Sequence, residues 1–258
     1  MPTRCAHFDV SKEMAVTLTN STVSTSRVYD DFTGTSIDEN LWQFLTIPSS
    51  GGSWTCFEPA AETCVGEGTL DIYVPRFTHQ LRRVPVVDNF NHQLVSIESF
   101  FTRDTEVLFA FDMATTSFGA IPTGLRDGFA SFMLLDTRRG WSFCVCSQGS
   151  RDFALYNCLR SIDRSRASTR IIDTPVAATH FVGSSHHHEI LIDGRNGSLD
   201  WRTDDQIACR VQGVDIPSRL NIALGVATLG SVERTVTQTY CPESGLSVSF
   251  GPVSIQGP

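Results

Sequence analysis

No stretch of the chain stays apolar for the roughly 18 residues that a membrane-crossing helix needs, so no membrane partner is expected. Basic residues are in short supply: 20 Lys and Arg stand against 28 Asp and Glu, a formal charge of −8 at pH 7. That balance excludes electrostatic capture of a nucleic-acid backbone or an anionic lipid surface as the main business of the protein. Residues 1–10 (MPTRCAHFDV) hold neither an apolar core nor a small-residue cleavage site, and on that ground the protein is expected in the cytoplasm. Helical periodicity is missing: no segment keeps a 3.6-residue period over three turns, and no repeat of fixed length recurs. Phosphate-binding glycine loops and a G-x-S-x-G elbow are absent, no serine pairs with a base in sequence, and no cofactor is expected.

What the chain does have is strands. Apolar or alternating runs bounded by Gly, Pro, Asn or Asp cover Thr69–Val74, Leu94–Phe101, Glu106–Met113, Phe129–Leu135, Trp141–Ser147, Phe153–Leu159, His187–Asp193, Ser198–Arg202, Leu220–Leu229 and Leu246–Ile255. Asp193-Gly194-Arg195-Asn196-Gly197 is a hairpin signal, because Gly and Asn accept the positive φ that tight turns require. The reading is all-β, and at 258 residues a two-sheet antiparallel sandwich suits the length better than a barrel. Residues 1–27, rich in Ser and Thr, are expected as an extension that is an edge strand or flexible, with residues 28–258 forming one domain. The eight cysteines (5, 56, 64, 144, 146, 158, 209 and 241) would suit four disulfides in a secreted protein, but in a chain of this length with no signal segment they are expected to be reduced thiols, and Cys144-x-Cys146 has no second Cys/His pair nearby in sequence to complete a tetrahedral zinc site.

The most purposeful stretch is Gly128 to Ser147, two apolar strands joined by a charged turn at Asp136 to Gly140. On its second strand one face carries either Trp141, Phe143 and Val145 or Ser142, Cys144 and Cys146, and neither row contains a carboxylate. Tyr29-Asp30-Asp31-Phe32-Thr33-Gly34 through Leu41-Trp42, then Gly68-Thr69-Leu70-Asp71-Ile72, Gly128 to Leu135, His186 to Asp193 with Leu199-Asp200-Trp201-Arg202, and Ser247 to Ile255 follow in order. Together they resemble the concanavalin A-like jelly roll of laminarinase- and lichenase-type β-glucanases. The chain is also similar to an uncharacterised bacterial group of intracellular concanavalin-like proteins, for which the resemblance supplies a fold and no activity. The glucanases carry E-x-D-x-E, or a bulged E-x-D-x-x-E, on the strand that here reads Gly140-Trp141-Ser142-Phe143-Cys144-Val145-Cys146. Against that pattern the slots hold Trp141, Phe143 and Val145, or Cys146 with the bulge, so the two carboxyl groups of a retaining glycosidase are missing.

The resemblance therefore implies a cleft floored by aromatic side chains, with Trp141, Phe143, Phe132 and Met133 as pocket wall and Arg126 at the rim. Polar groups for chemistry are sought nearby. His92 and Asp88 come from the island Asp88-Asn89-Phe90-Asn91-His92, Asp127 opens the strand at Gly128, and Tyr156 offers a hydroxyl. The expectation is a cofactor-free biosynthetic enzyme that folds an apolar, polyketide- or terpenoid-like substrate for cyclisation, isomerisation or elimination. The alternative is a non-catalytic carbohydrate-binding or interaction module in which Trp141 stacks on a sugar ring. His186 and His188 share a strand face as an H-x-H pair, a weaker candidate for metal. The competing explanation for the run is a strand-opening histidine with solvent-facing neighbours.

Overall fold

A computed structural model describes residues 25–49, 52–78, 90–118, 128–148, 152–158, 168–173, 183–228 and 245–257. In chain order the strands are β1 (Thr25–Asp30), β2 (Trp42–Phe44), β3 (Thr46–Ser49), β4 (Gly52–Thr55), β5 (Glu62–Gly66), β6 (Thr69–Val74), β7 (Phe90–Ser96), β8 (Phe100–Phe101), β9 (Glu106–Phe118) and β10 (Phe129–Asp136). They continue with β11 (Trp141–Ser147), β12 (Asp152–Cys158), β13 (Ser168–Asp173), β14 (Ser185–Asp193), β15 (Ser198–Thr203), β16 (Gln206–Gln212), β17 (Arg219–Ala227), β18 (Gly245–Phe250) and β19 (Val253–Gly257). Among the described residues there is no helix, and so none long and apolar enough to cross a membrane.

Two large antiparallel sheets form the jelly-roll sandwich. One has nine strands, in the order β16-β15-β14-β9-β18-β6-β5 with β19 and β1 branching from β9. The other has eight, in the order β13-β12-β11-β10-β17-β7-β2 with β8 added on β17, and β3 and β4 form a separate hairpin. Strand alternation decides what lies between the sheets. On β6, Leu70, Ile72 and Val74 point inward while Asp71 and Tyr73 are exposed; on β14, Ile190 and Ile192 point inward. The inner faces meet through aromatic rings. Phe111 of the nine-stranded sheet stacks on Phe132 of the eight-stranded sheet, with centroids 3.7 Å apart and planes 4° off parallel.

β10 and β11 are buried along nearly their whole length, because both of their faces are covered. The inward row of β11 is Trp141, Phe143 and Val145, part of the main core. Its outward row, Cys144 and Cys146, belongs to a second apolar cluster with Phe129, Met133 and Phe153, against which Ile47 and Trp54 of the β3–β4 hairpin pack. The β10–β11 register runs unbroken from Ala130↔Ser147 to Asp136↔Trp141, so no bulge shifts the parity along β11.

Several strand ends differ from the sequence expectation for local reasons. The run Leu246 to Ile255 divides at Gly251-Pro252, where the Gly251 N–H donates to the Asp112 carbonyl at 2.9 Å and Pro252 has no donor to continue the ladder. The run Leu94 to Phe101 divides likewise into β7 and β8. β1 starts at Thr25, paired with Gly257 of β19. β16 lacks a clear apolar run; its ladder to β15 slips between Trp201 and Arg202. At Gly225 any side chain would collide with β7, since a Cβ would stand 1.9 Å from the His92 carbonyl oxygen.

The placement of β11 generates a stability prediction. Phe143→Ala removes a fully buried inter-sheet ring and lowers the unfolding free energy by about 3–5 kcal/mol. Trp54→Ala, which uncovers only the outer cluster from a half-buried position, costs less and raises binding of a hydrophobic dye. Chemical denaturation and dye fluorescence of the two variants check both outcomes, and equal losses would contradict the assigned parity.

Candidate functional site

The residues expected to wall a cleft do not do so. Trp141, Phe143 and Phe132 lie in the inter-sheet core, at 3% exposure or less, and none of them reaches a ligand surface. Met133 is on the outer face but buried beneath the second cluster. The physical reason is parity: strand β11 turns its largest side chains toward the larger core, which leaves Ser142, Cys144 and Cys146 on the face once expected to be aromatic. That outer row also lacks a carboxylate. Asp88, Arg126 and Asp127 lie outside the described residues. Tyr156 is placed by its backbone in β12, opposite Phe143 and Arg170, and its side chain lies outside the described part.

His92 is a buried structural group. The Glu58 N–H donates to its Nδ1 at 3.3 Å, which makes Nδ1 the acceptor and leaves the Nε2 proton to donate to Thr63 Oγ1 at 3.1 Å. Phe44 and Phe57 close around the ring, at centroid distances of 5.1 and 5.6 Å. The Glu58 side chain, itself fully buried, accepts from the Thr78 N–H (3.1 Å), the Ala60 N–H (3.3 Å) and the Thr78 hydroxyl. Burial pushes the His92 pKa down from 6.5 to about 4, outweighing the nearby Glu58 carboxylate, which pulls it up. The imidazole is thus neutral and fully engaged, a poor proton shuttle and a good core element.

The histidine run is where polar groups converge. Strand pleating puts Ser184, His186 and His188 on one side of the chain and His187 on the other. β15 and β16 are joined by a two-residue turn, Asp204-Asp205, with φ of 47° and 64°. Asp tolerates this left-handed conformation, and the turn carries Asp204 beside β14. The Asp204 N–H donates to the His187 carbonyl at 2.8 Å, and the His187 N–H returns to Asp204 Oδ1 at 3.0 Å. The second carboxylate oxygen, Oδ2, stands 2.6 Å from His186 Nδ1, and His186 Nε2 stands 2.6 Å from Ser184 Oγ. Because Asp204 can only accept, His186 Nδ1 carries the proton and Nε2 accepts from the serine hydroxyl.

Burial grades along the strand. His188 is fully buried, with Nδ1 3.0 Å from Thr203 Oγ1 and 3.4 Å from the donating Trp201 Nε1, and with Nε2 3.8 Å from Asp152 Oδ2 across the sandwich. The His186 side chain is 13% exposed and Asp204 49%. On the opposite face of the strand, His187 Nδ1 meets Asp112 Oδ1 at 2.7 Å, both groups half-exposed. Desolvation raises the Asp204 pKa, but the His186 and His187 hydrogen bonds and the two nearby imidazoles outweigh it, and the net shift is downward. Among the described residues no set of three or more His, Cys, Asp or Glu side chains is arranged to hold a metal ion. Two expectations are corrected here: His188 faces the core rather than solvent, and a serine does pair with a base.

The sequence signal for this constellation is the Ser-x-His spacing at 184 and 186, an i, i+2 pair on one strand face. Asp204 is 18 residues further on and is brought in only by the β14–β15 pairing, in which His188 faces Thr203.

His92 carries a pH prediction. An unfolded chain protonates it near pH 6.5 and the folded chain only near pH 4, so its contribution is fully present above pH 6.5 and is lost as pH falls through that window. The loss is on the order of 3 kcal/mol. His92→Gln is expected to be less stable at neutral pH yet to show a shallower decline between those limits, as read by denaturant titration along a pH series.

Comparisons with known proteins agree with the architecture. The endo-1,3-β-glucanase of Streptomyces sioyaensis superposes with a TM-score of 0.62 at 13% identity, covering 94% of this chain and 99% of the enzyme. The endo-β-1,3-glucanase of Pyrococcus furiosus gives 0.56 at 15% identity, with 88% and 92% covered, and the Bacillus licheniformis β-glucanase gives 0.52 at 12%, with 91% and 97% covered. At such identities the likeness shows the fold. No protein of curated function matches the chain in sequence. The expected cyclase, isomerase or lyase acting on an apolar metabolite is overturned: the structural neighbours are endo-glucanases, and the aromatic floor on which that expectation stood is the inside of the sandwich. A family profile covers most of the sandwich, residues 29–240, and by that match the chain belongs to DUF6081, a family of unknown function.

Proposed function

We propose that the protein is a serine-type acyl-ester hydrolase with Ser184 as nucleophile, His186 as general base and Asp204 as the carboxylate that orients the base. The observation that carries this reading is the pair of 2.6 Å contacts that link Ser184 Oγ, His186 Nε2, His186 Nδ1 and Asp204 Oδ2 in one line. These are the contacts a nucleophile–base–carboxylate relay requires, recognised by geometry and role rather than by position in a motif.

The chemistry follows from the proton positions. Ser184 Oγ attacks the ester carbonyl carbon while its proton passes to His186 Nε2, and Asp204, held ionised by its hydrogen bonds, stabilises the imidazolium through Nδ1. Collapse of the tetrahedral species breaks the carbon–oxygen bond to the alcohol, which leaves with the His186 proton. Water then repeats the sequence on the acyl-serine, releasing the acid and restoring the hydroxyl. The partial exposure of Ser184 and Asp204 gives an ester access to the relay from the strand end. Among the described residues Cys64, Cys144 and Cys209 are thiols, which suits a reducing compartment such as the cytoplasm for this activity.

A fluorophosphonate probe is expected to label Ser184 and no other residue, seen as a single mass increment mapped by peptide sequencing. Ser184→Ala abolishes labelling and turnover of a simple acetyl ester, while His186→Gln and Asp204→Asn each lower turnover by about 10²-fold or more. Wild-type turnover no greater than that of Ser184→Ala, or undiminished labelling in His186→Gln, would refute the assignment.

A further inference from the structure

The β3–β4 hairpin lies over the outer face of the eight-stranded sheet, and what it covers is not uniformly apolar. A row crosses that face through Gln93, Gly225, Ser131 and Cys146, which stand opposite one another on β7, β17, β10 and β11. Gly225 has no side chain, and the Gln93 side chain passes over it: a Cβ there would stand 2.9 Å from Gln93 Cδ. The Gln93 amide thereby donates from Nε2 to Ser131 Oγ at 2.9 Å and to the Val226 carbonyl at 3.2 Å. Its Oε1 is fully buried and has no hydrogen-bond partner among the described residues. A carbonyl sealed from water without a donor costs free energy, which is regained when water reaches it.

The hairpin is fastened at one end. Its two legs meet at the backbone of the same residue: the Leu45 N–H donates to the Gln93 carbonyl at 2.9 Å, the Gln93 N–H to the Cys56 carbonyl at 3.1 Å, and the Cys56 N–H to the Leu45 carbonyl at 2.8 Å. Beyond that base β3 and β4 pair with each other, from Thr46↔Thr55 to Ser49↔Gly52, and with neither large sheet. Among the described side chains, what holds the body of the hairpin down is one cross-strand pair, Ile47 and Trp54, half-buried on the cluster that contains Met133, Cys144 and Phe153. The opposite face, with Thr46, Ser53 and Thr55, is exposed. A two-stranded ribbon has little stability of its own, so its closed position depends on that pair.

We infer that the β3–β4 hairpin is a hinged cover that opens about Leu45 and Cys56 while the sandwich stays folded. Opening takes water to Gln93 Oε1 and uncovers the apolar floor around it. Closing buries Ile47 and Trp54 and seals the carbonyl again. These two effects oppose one another, and local opening costs less than unfolding both sheets. The cover acts on the outer face of the eight-stranded sheet, whereas Ser184 and His186 lie at the rim of the other sheet, so the inference stands or falls independently of the hydrolase reading.

Thiol labelling of the native, full-length chain reads the opening. Iodoacetamide modification is mapped by peptide mass at Cys144, which is buried in the covered cluster, with the exposed Cys64 as the unprotected reference. Hydrogen exchange at the amides of β10 and β11 reports global unfolding in the same buffer. The opening constant from Cys144 is expected to exceed the one from those amides by about ten-fold or more and to change little with low denaturant, because a hinge motion exposes little surface. Trp54→Ala raises the Cys144 labelling rate about ten-fold through lost apolar burial. Ile192→Val, a core change in the other sheet, speeds exchange in β10 and β11 about five-fold and leaves Cys144 labelling unchanged. Labelling of Cys144 that tracks the β10 and β11 amides in the wild type and both variants makes the hairpin a fixed part of the outer core and overturns the inference.

Discussion

The pleat of strand β11 constrains everything else in this molecule. Side chains alternate along a strand, so a single choice of parity sends Trp141, Phe143 and Val145 to one face and Ser142, Cys144 and Cys146 to the other. The rings go where the larger core is, between the sheets, where Phe111 and Phe132 stack and where both sheets contribute apolar side chains along their length. Burying a ring of that size contributes more than burying a thiol, and with no bulge in the β10–β11 register nothing offsets the preference. The outer face is consequently left to small and sulfur-bearing side chains, and the β3–β4 hairpin packs upon it.

The same alternation operates on β14 with a different result, because that strand begins at the end of the sandwich. Its inward row starts at the rim and runs into the core: Ser184 and His186 partly exposed, His188, Ile190 and Ile192 buried. A buried imidazole is tolerated at His188 because Thr203, Trp201 and Asp152 supply polar neighbours within the core. At the rim the His186 ring stands between the Ser184 hydroxyl and the Asp204 carboxylate, with 13% of its side chain exposed. His92 shows the contrast. It is enclosed by aromatic rings and fixed by Glu58 and Thr63, and desolvation keeps it neutral at the cost of its availability for proton transfer.

Much of the fold was legible because strands announce themselves by period and punctuation. β6, β10, β11 and β15 stand within a residue of where alternation and turn residues place them, and the order of segments points to the glucanase jelly roll shared with structures only 12–15% identical. Short edge elements such as β5 and β16 escaped notice, since half-exposed strands with mixed side chains carry no clear period. The site was legible only in fragments. Ser184, His186 and His188 lie within five residues and share a face by simple alternation, whereas nothing in the spacing of Asp204 relates it to them.

By itself the sequence determined the class of the fold, the strands that build its centre, and the absence of a carboxylate on either row of β11. These are properties of residue type and local period, which survive without knowledge of partners. Tertiary structure alone decided which row of β11 faces the core, because parity depends on the volume available on each side of a sheet. It also decided that an aspartate 18 residues away completes the Ser184–His186 pair. Hairpin register sets that distance, through the ladder that carries His187 and Asp204 past one another and the positive-φ turn that aims the carboxylate at the ring.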